Sequence, residues 1–285
     1  MDGPQTRFYR LGQLAADRPL SLFFVLAYAF SWSLFLPMVL AGTISPPLIY
    51  AATLGPLLAA IATHRLATGS YRAFRVFSTW PRVVLGAGAG CLLVVVTFVV
   101  LPGVIVADPR QLHWSILASV AVYNASTLLG GPLGEEPAWR GYALPRLEER
   151  FGPIRGTLLL ALFWAGWHLP LFLIPGWTSS PLWAYVLILA GISVIMTFGA
   201  NLAGFSVVPA IATHAVFNTV SRFLAGLFRG VQPRVHMSLV TLLALTALAT
   251  ALVLIVATRG RLAYFQSRGA PESRSVDQEA ARTTV

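Results

Sequence analysis

The sequence predicts an all-α, polytopic transmembrane bundle of about eight helices. Three observations carry that expectation. The chain is 56% hydrophobic and only 11% charged over 285 residues, where a soluble domain is about 25% charged. Its mean hydropathy is +0.73. Apolar runs of about 20 residues, the length that crosses hydrocarbon, recur along it. Backbone in lipid must satisfy its own hydrogen bonds, so each run reads as a helix.

The runs fall at 20–40, 47–67, 83–107, 113–134, 156–174, 182–203, 206–226 and 237–257. The first follows a polar segment, 1–19, that holds Arg7, Arg10 and Arg18. It contains "AYA", which mimics a cleavage site, but the apolar run continues well past it, so it reads as an uncleaved helix. The sixth and seventh runs are separated by little loop, "GANLAGFSVVP". Residues 20–257 form one bundle, and the charged tail 258–285 is expected to be disordered. No internal repeat is visible, which gives an inverted-repeat transporter no support.

All 20 basic residues are arginine, and the formal net charge is +10. In a membrane protein such an excess marks cytoplasmic loops beside anionic lipid, not nucleic-acid binding. Arg65, Arg72, Arg75 and Arg82 separate the second and third runs. Arg146, Arg150 and Arg155 separate the fourth and fifth, and Arg259, Arg261 and Arg268 follow the eighth. An even number of spans puts these segments and both termini on one side, the cytoplasm of a cell-membrane protein. Loops 41–46 and 175–181 carry no charge, whereas 227–236 breaks the pattern with Arg229 and Arg234. The single Cys91 excludes an intramolecular disulfide.

Few polar groups fall at membrane depth, and ionisable ones there are usually functional. "GPLGEEPAWRGY", 131–142, brings Glu135, Glu136 and Arg140 to the edge of the fourth run. "LFWAGWHLPLF" places His168 in the fifth, and "PAIATHAVFNTV" places His214 and Asn218 in the seventh. The last two are four residues apart, hence on one helical face. Together these groups suit hydrolysis without a covalent nucleophile. A carboxylate with an imidazole can deprotonate a water. Arg140 can fix the second carboxylate, and an imidazole with an amide can donate to an oxyanion. Two histidines and a carboxylate (Glu135, His168, His214) would also make a catalytic zinc set, although no H-E-x-x-H is present. Taken singly, each feature has a plainer reading: an i, i+4 helix pair, a hydrogen-bonded core histidine, or interhelical glue.

In order and spacing, "EEPAWR" at 135–140, "WAGWH" at 164–168 and "HAVFN" at 214–218 resemble the three motifs of the CPBP family of intramembrane proteases, E-E-x-x-x-R, F-x-x-x-H and H-x-x-x-N. This family is also called the CAAX protease and bacteriocin-processing, or Abi, family, and it includes the Ras-converting type of CAAX prenyl endopeptidase. The resemblance covers about 113–226 and departs at Trp164, where the family usually has Phe. It implies an endopeptidase acting on a membrane-associated or lipidated peptide or protein near the cytoplasmic face. Glu135 and His168 would activate the water, Glu136 and Arg140 would support them, and His214 with Asn218 would form the oxyanion hole. A metal would be shared by Glu135, His168 and His214 only if the metalloprotease reading of the family holds. A non-catalytic immunity or scaffold protein, and less readily a proton-coupled transporter, remain alternatives.

Overall fold

The computed structural model describes residues 12–73, 76, 78–106, 128, 131–227 and 232–265. Among them every regular element is helical. The main elements are α1 (Pro19–Ala41), α2 (Pro46–Thr53), α3 (Gly55–Thr68), α4 (Trp80–Val95) and α5 (Leu101–Val106). They continue with α6 (Pro132–Ala138), α7 (Leu144–Phe151), α8 (Pro153–Trp167), α9 (Leu182–Leu202), α10 (Val207–Leu227) and α11 (Pro233–Ala257). Proline occupies the first turn of α1, α2, α3, α4, α6, α7, α8 and α11. There its missing N–H costs nothing and its fixed φ favours the helix.

Among the described residues six helical stretches are long and apolar enough to cross a membrane: Pro19–Ala41, Pro46–Thr68, Trp80–Gly103, Pro153–Leu173, Leu182–Leu202 and Pro233–Ala257. The expected run 206–226 forms α10, yet His214, Asn218, Ser221 and Arg222 dilute its apolarity. Most of the expected run 113–134 lies outside the described residues, as do Arg7, Arg10, Arg75, Arg229 and the tail beyond 265.

The first motif opens a continuous helical stretch, Pro132–Phe151, in which α6 and α7 are joined by a π-helical turn, Trp139–Ala143. Pro137 and Pro145 flank that turn and each removes a donor from the backbone ladder. A single π-turn inside a helix is rare and concentrates at functional sites. Gly134 makes the helix start possible, because a Cβ there would lie 2.7 Å from the Thr53 carbonyl oxygen of α2. At the other end, Gly156 lets α8 fold back on α7: a Cβ would sit 2.9 Å from the Glu148 nitrogen.

Side-chain bonds sort the helix ends into two groups. Asn201, at the end of α9, donates to Glu148 of α7 (2.7 Å) and to the Leu262 carbonyl after α11 (3.2 Å). Ser206 donates to the Val76 carbonyl (2.8 Å). This end carries Arg72, Arg146, Arg150, Arg259 and Arg261. At the opposite end Trp32 of α1 donates to the Trp167 carbonyl at the close of α8 (3.0 Å), and Ser179 bonds His236 at the start of α11 (3.0 Å). One apolar core runs between them, with Phe23, Phe35, Trp139, Leu160, Ile192 and Ala247 buried.

Candidate active site

Three helices converge on the polar cluster. α6 and the π-turn supply Glu135, Glu136 and Arg140; the end of α8 supplies Trp164 and His168; α10 supplies His214, with Asn218 one turn further along the same helix. Glu135, Glu136, Arg140 and His214 are each at most 4% exposed. Charges so deep persist only when paired and hydrogen-bonded.

Glu136 is the hub of an ion network. Arg140 Nη1 donates to its Oε1 and lies 3.1 Å from Oε2. His214 Nδ1 lies 2.7 Å from the same Oε1. Arg140 Nη2 also donates to Ser193 of α9 (2.9 Å). The guanidinium therefore ties the π-turn to α9, and the carboxylate ties it to α10. With Nδ1 turned to Glu136, His214 presents Nε2 as its outward nitrogen. A carboxylate behind an imidazole is a common way to fix its orientation.

Glu135 is held separately. Its Oε2 accepts from the indole Nε1–H of Trp164 at 2.8 Å. Trp164 also lies under the Arg140 guanidinium (4.3 Å to the ring centroid) and edge-on to His168 and His214, at 5.8 and 5.3 Å. It touches four of the six candidates, although the sequence marked it only as a departure from the family's Phe. The available signal was the residue type: Trp carries a donor that Phe lacks. Trp164→Phe is expected to keep the ring beneath Arg140 and lower kcat about tenfold with little change in KM, since a hydrogen bond to a charged group contributes about 1.5–3 kcal/mol. Kinetics of the purified variant on a cleavable peptide check this.

His168 closes α8. Its Nδ1 is 2.8 Å from the Trp164 carbonyl oxygen, which can only accept. Nδ1 therefore carries the proton, and the lone pair of the neutral ring sits on Nε2. Trp167, Trp177 and Tyr185 pack around the ring. Asn218, half-buried, lines a cavity of about 800 Å³ that Trp177 and Tyr185 also line.

The residues whose ligand atoms gather within 4.8 Å are Glu135, Glu136 and His214. His168 is not in this group, so the expected metal set of Glu135, His168 and His214 is not the one assembled. Its Nδ1 is turned to the backbone, and the end of α8 directs the ring toward the aromatic wall. The assembled group could hold a metal by donor type. However, Glu136 is already engaged by Arg140 and His214. Its Oε2 nevertheless takes no hydrogen bond, so with Glu135 and the outer nitrogen of His214 the group offers three donors, the number of protein ligands that catalytic zinc takes.

Residues 114–220 match the family model for the Rce1-like type II CAAX prenyl endopeptidases. CAAX prenyl protease 2 of Methanococcus maripaludis is 40% identical over 40 residues, 14% of this chain and 15% of that protein. The match thus spans about 15% of the length of that curated relative. The matched segment contains every candidate residue, and over it the chain is similar to the Rce1-like CAAX prenyl endopeptidases.

Proposed function

We propose that this protein is an intramembrane endopeptidase that hydrolyses a peptide bond in a membrane-associated or lipidated peptide or protein. The observation that carries the reading is the division of labour between the adjacent glutamates. Glu136 is consumed by Arg140 and His214, whereas Glu135 is fixed through one oxygen by Trp164. The other oxygen of Glu135 remains for a water.

In this reading Glu135, aided by His168 Nε2, takes a proton from the water as its oxygen attacks the scissile carbonyl carbon. The carbonyl oxygen becomes an oxyanion and accepts from the Asn218 amide and from Nε2–H of His214 in its cationic form, in which Nδ1–H faces Glu136. Collapse of the tetrahedral intermediate breaks the C–N bond, and Glu135 returns the proton to the leaving amine. Arg140 touches no reacting atom; it holds Glu136, and so His214, in place.

His168→Ala tests the proposal. General base assistance contributes about 10²- to 10⁴-fold, so cleavage of a reporter peptide in proteoliposomes is expected to fall at least 100-fold with unchanged thermal stability. Undiminished cleavage would sink the reading.

A further inference from the structure

We propose that the candidate site is entered from the end of the bundle opposite the arginine-rich loops. Its substrate is then a peptide segment presented from the extracytoplasmic face, not from the cytoplasmic face that the family resemblance implies. This inference rests on the protease reading above and adds the side and class of the substrate.

The cavity of about 800 Å³ carries the argument. That volume lies within the range of ligand pockets and holds several residues of extended peptide. Its inner wall includes Asn218 and the two aromatics that pack on His168, Trp177 and Tyr185. Its outer wall includes Ile44 from the α1–α2 connection, Gly176 to Ser180 after α8, and His236 at the start of α11. All of these belong to the end where Trp32 meets Trp167 and Ser179 meets His236. None of the residues lining the cavity comes from the opposite end. There the helices are interlocked by Glu148, Asn201 and the carbonyl of the buried Leu262.

The depth of the candidates agrees. His168 closes α8, whose first turn holds Arg155 at the interlocked end. Glu135 opens the stretch whose far end holds Arg146 and Arg150. Both therefore lie away from the arginine-rich end. The positive-inside rule makes that end cytoplasmic, which puts the cavity mouth outside. The departure from that rule also finds a place: Arg222 and His236 line the cavity, and Arg234 is two residues from His236. Cationic groups at this end thus gather around the opening.

The test uses the full chain in cells and in vesicles. Cys91, half-buried in α4, is first replaced by Ser to give a cysteine-free background. Ser179→Cys or Thr178→Cys then marks the cavity mouth, and Thr68→Cys marks the opposite end. With a membrane-impermeant maleimide, the mouth cysteines are expected to label in intact cells, and Thr68→Cys only after permeabilisation. A bulky maleimide at the mouth is then expected to reduce reporter cleavage at least tenfold. The reverse labelling pattern in a chain that cleaves overturns the side of entry alone. Labelling that leaves cleavage unchanged overturns the cavity as the route. A chain that labels as expected but cleaves nothing beforehand overturns the protease reading, and substrate entry with it.

Discussion

Glu135→Gln is expected to lower the cleavage rate by about 10²- to 10⁴-fold, the range that a positioned general base contributes. The substitution preserves volume, and a Gln carbonyl oxygen can still accept from Trp164 Nε1–H. What it removes is the capacity to take a proton from water. The variant should therefore fold and keep its substrate affinity. A cleavage assay with saturating peptide, together with a thermal melt in detergent, separates these effects. Loss of kcat at constant stability and KM is the expected pattern. A variant that cleaves at the wild-type rate removes Glu135 from the chemistry.

Arg140→Ala is expected to act on stability as well as activity. Arg140 is 1% exposed and Glu136 is fully buried. Deleting the guanidinium leaves the Glu136 carboxylate with His214 alone and leaves Ser193 without its donor. Breaking a buried pair by removing one partner costs about 3–5 kcal/mol. A large fall in melting temperature is expected, together with loss of cleavage. Arg140→Lys should recover little, because one ammonium cannot span Glu136 and Ser193 as the two guanidinium nitrogens do. The double variant Arg140→Met, Glu136→Gln is expected to melt above Arg140→Ala, since no uncompensated charge then remains. If Arg140→Ala melts like wild type, the network is not what holds the π-turn against α9 and α10.

The two predictions separate roles that the paired glutamates conceal in sequence. Glu135 and Glu136 are adjacent, and Arg140 lies five residues after the first and four after the second. For Glu136 the helix geometry decides, since i and i+4 share a face. That pairing was legible in "EEPAWR", as were the face shared by His214 and Asn218 and the helical class of the whole chain.

The helix that bears the first motif was harder to see. The residues before Gly131 form a stronger apolar run, so the sequence reading put the span there and the glutamates at its edge. That run lies mostly outside the described residues, and the structure starts a helix at Pro132 and carries it through a π-turn to Phe151. Hydropathy alone misses this stretch because its core-facing positions include Glu135, Glu136, Arg140 and Glu148, all buried. Partners on α8, α9 and α10 satisfy them, and none of those partners is near in sequence.

The amino-acid sequence by itself determined the apolar helices, the asymmetry of arginine between their ends, and the donors and acceptors available at depth. These follow from local composition and from the 3.6-residue period, which are properties of short segments. Only the tertiary structure decided how those groups are shared: Trp164 against Glu135, His214 against Glu136, His168 turned to its own backbone, and the cavity at the end away from the arginines. Hydrogen bonds and ion pairs in a dry interior form across helices, over separations such as the 78 residues between Glu136 and His214. Which acceptor meets which donor is set by the packing of whole helices, and no single segment encodes it.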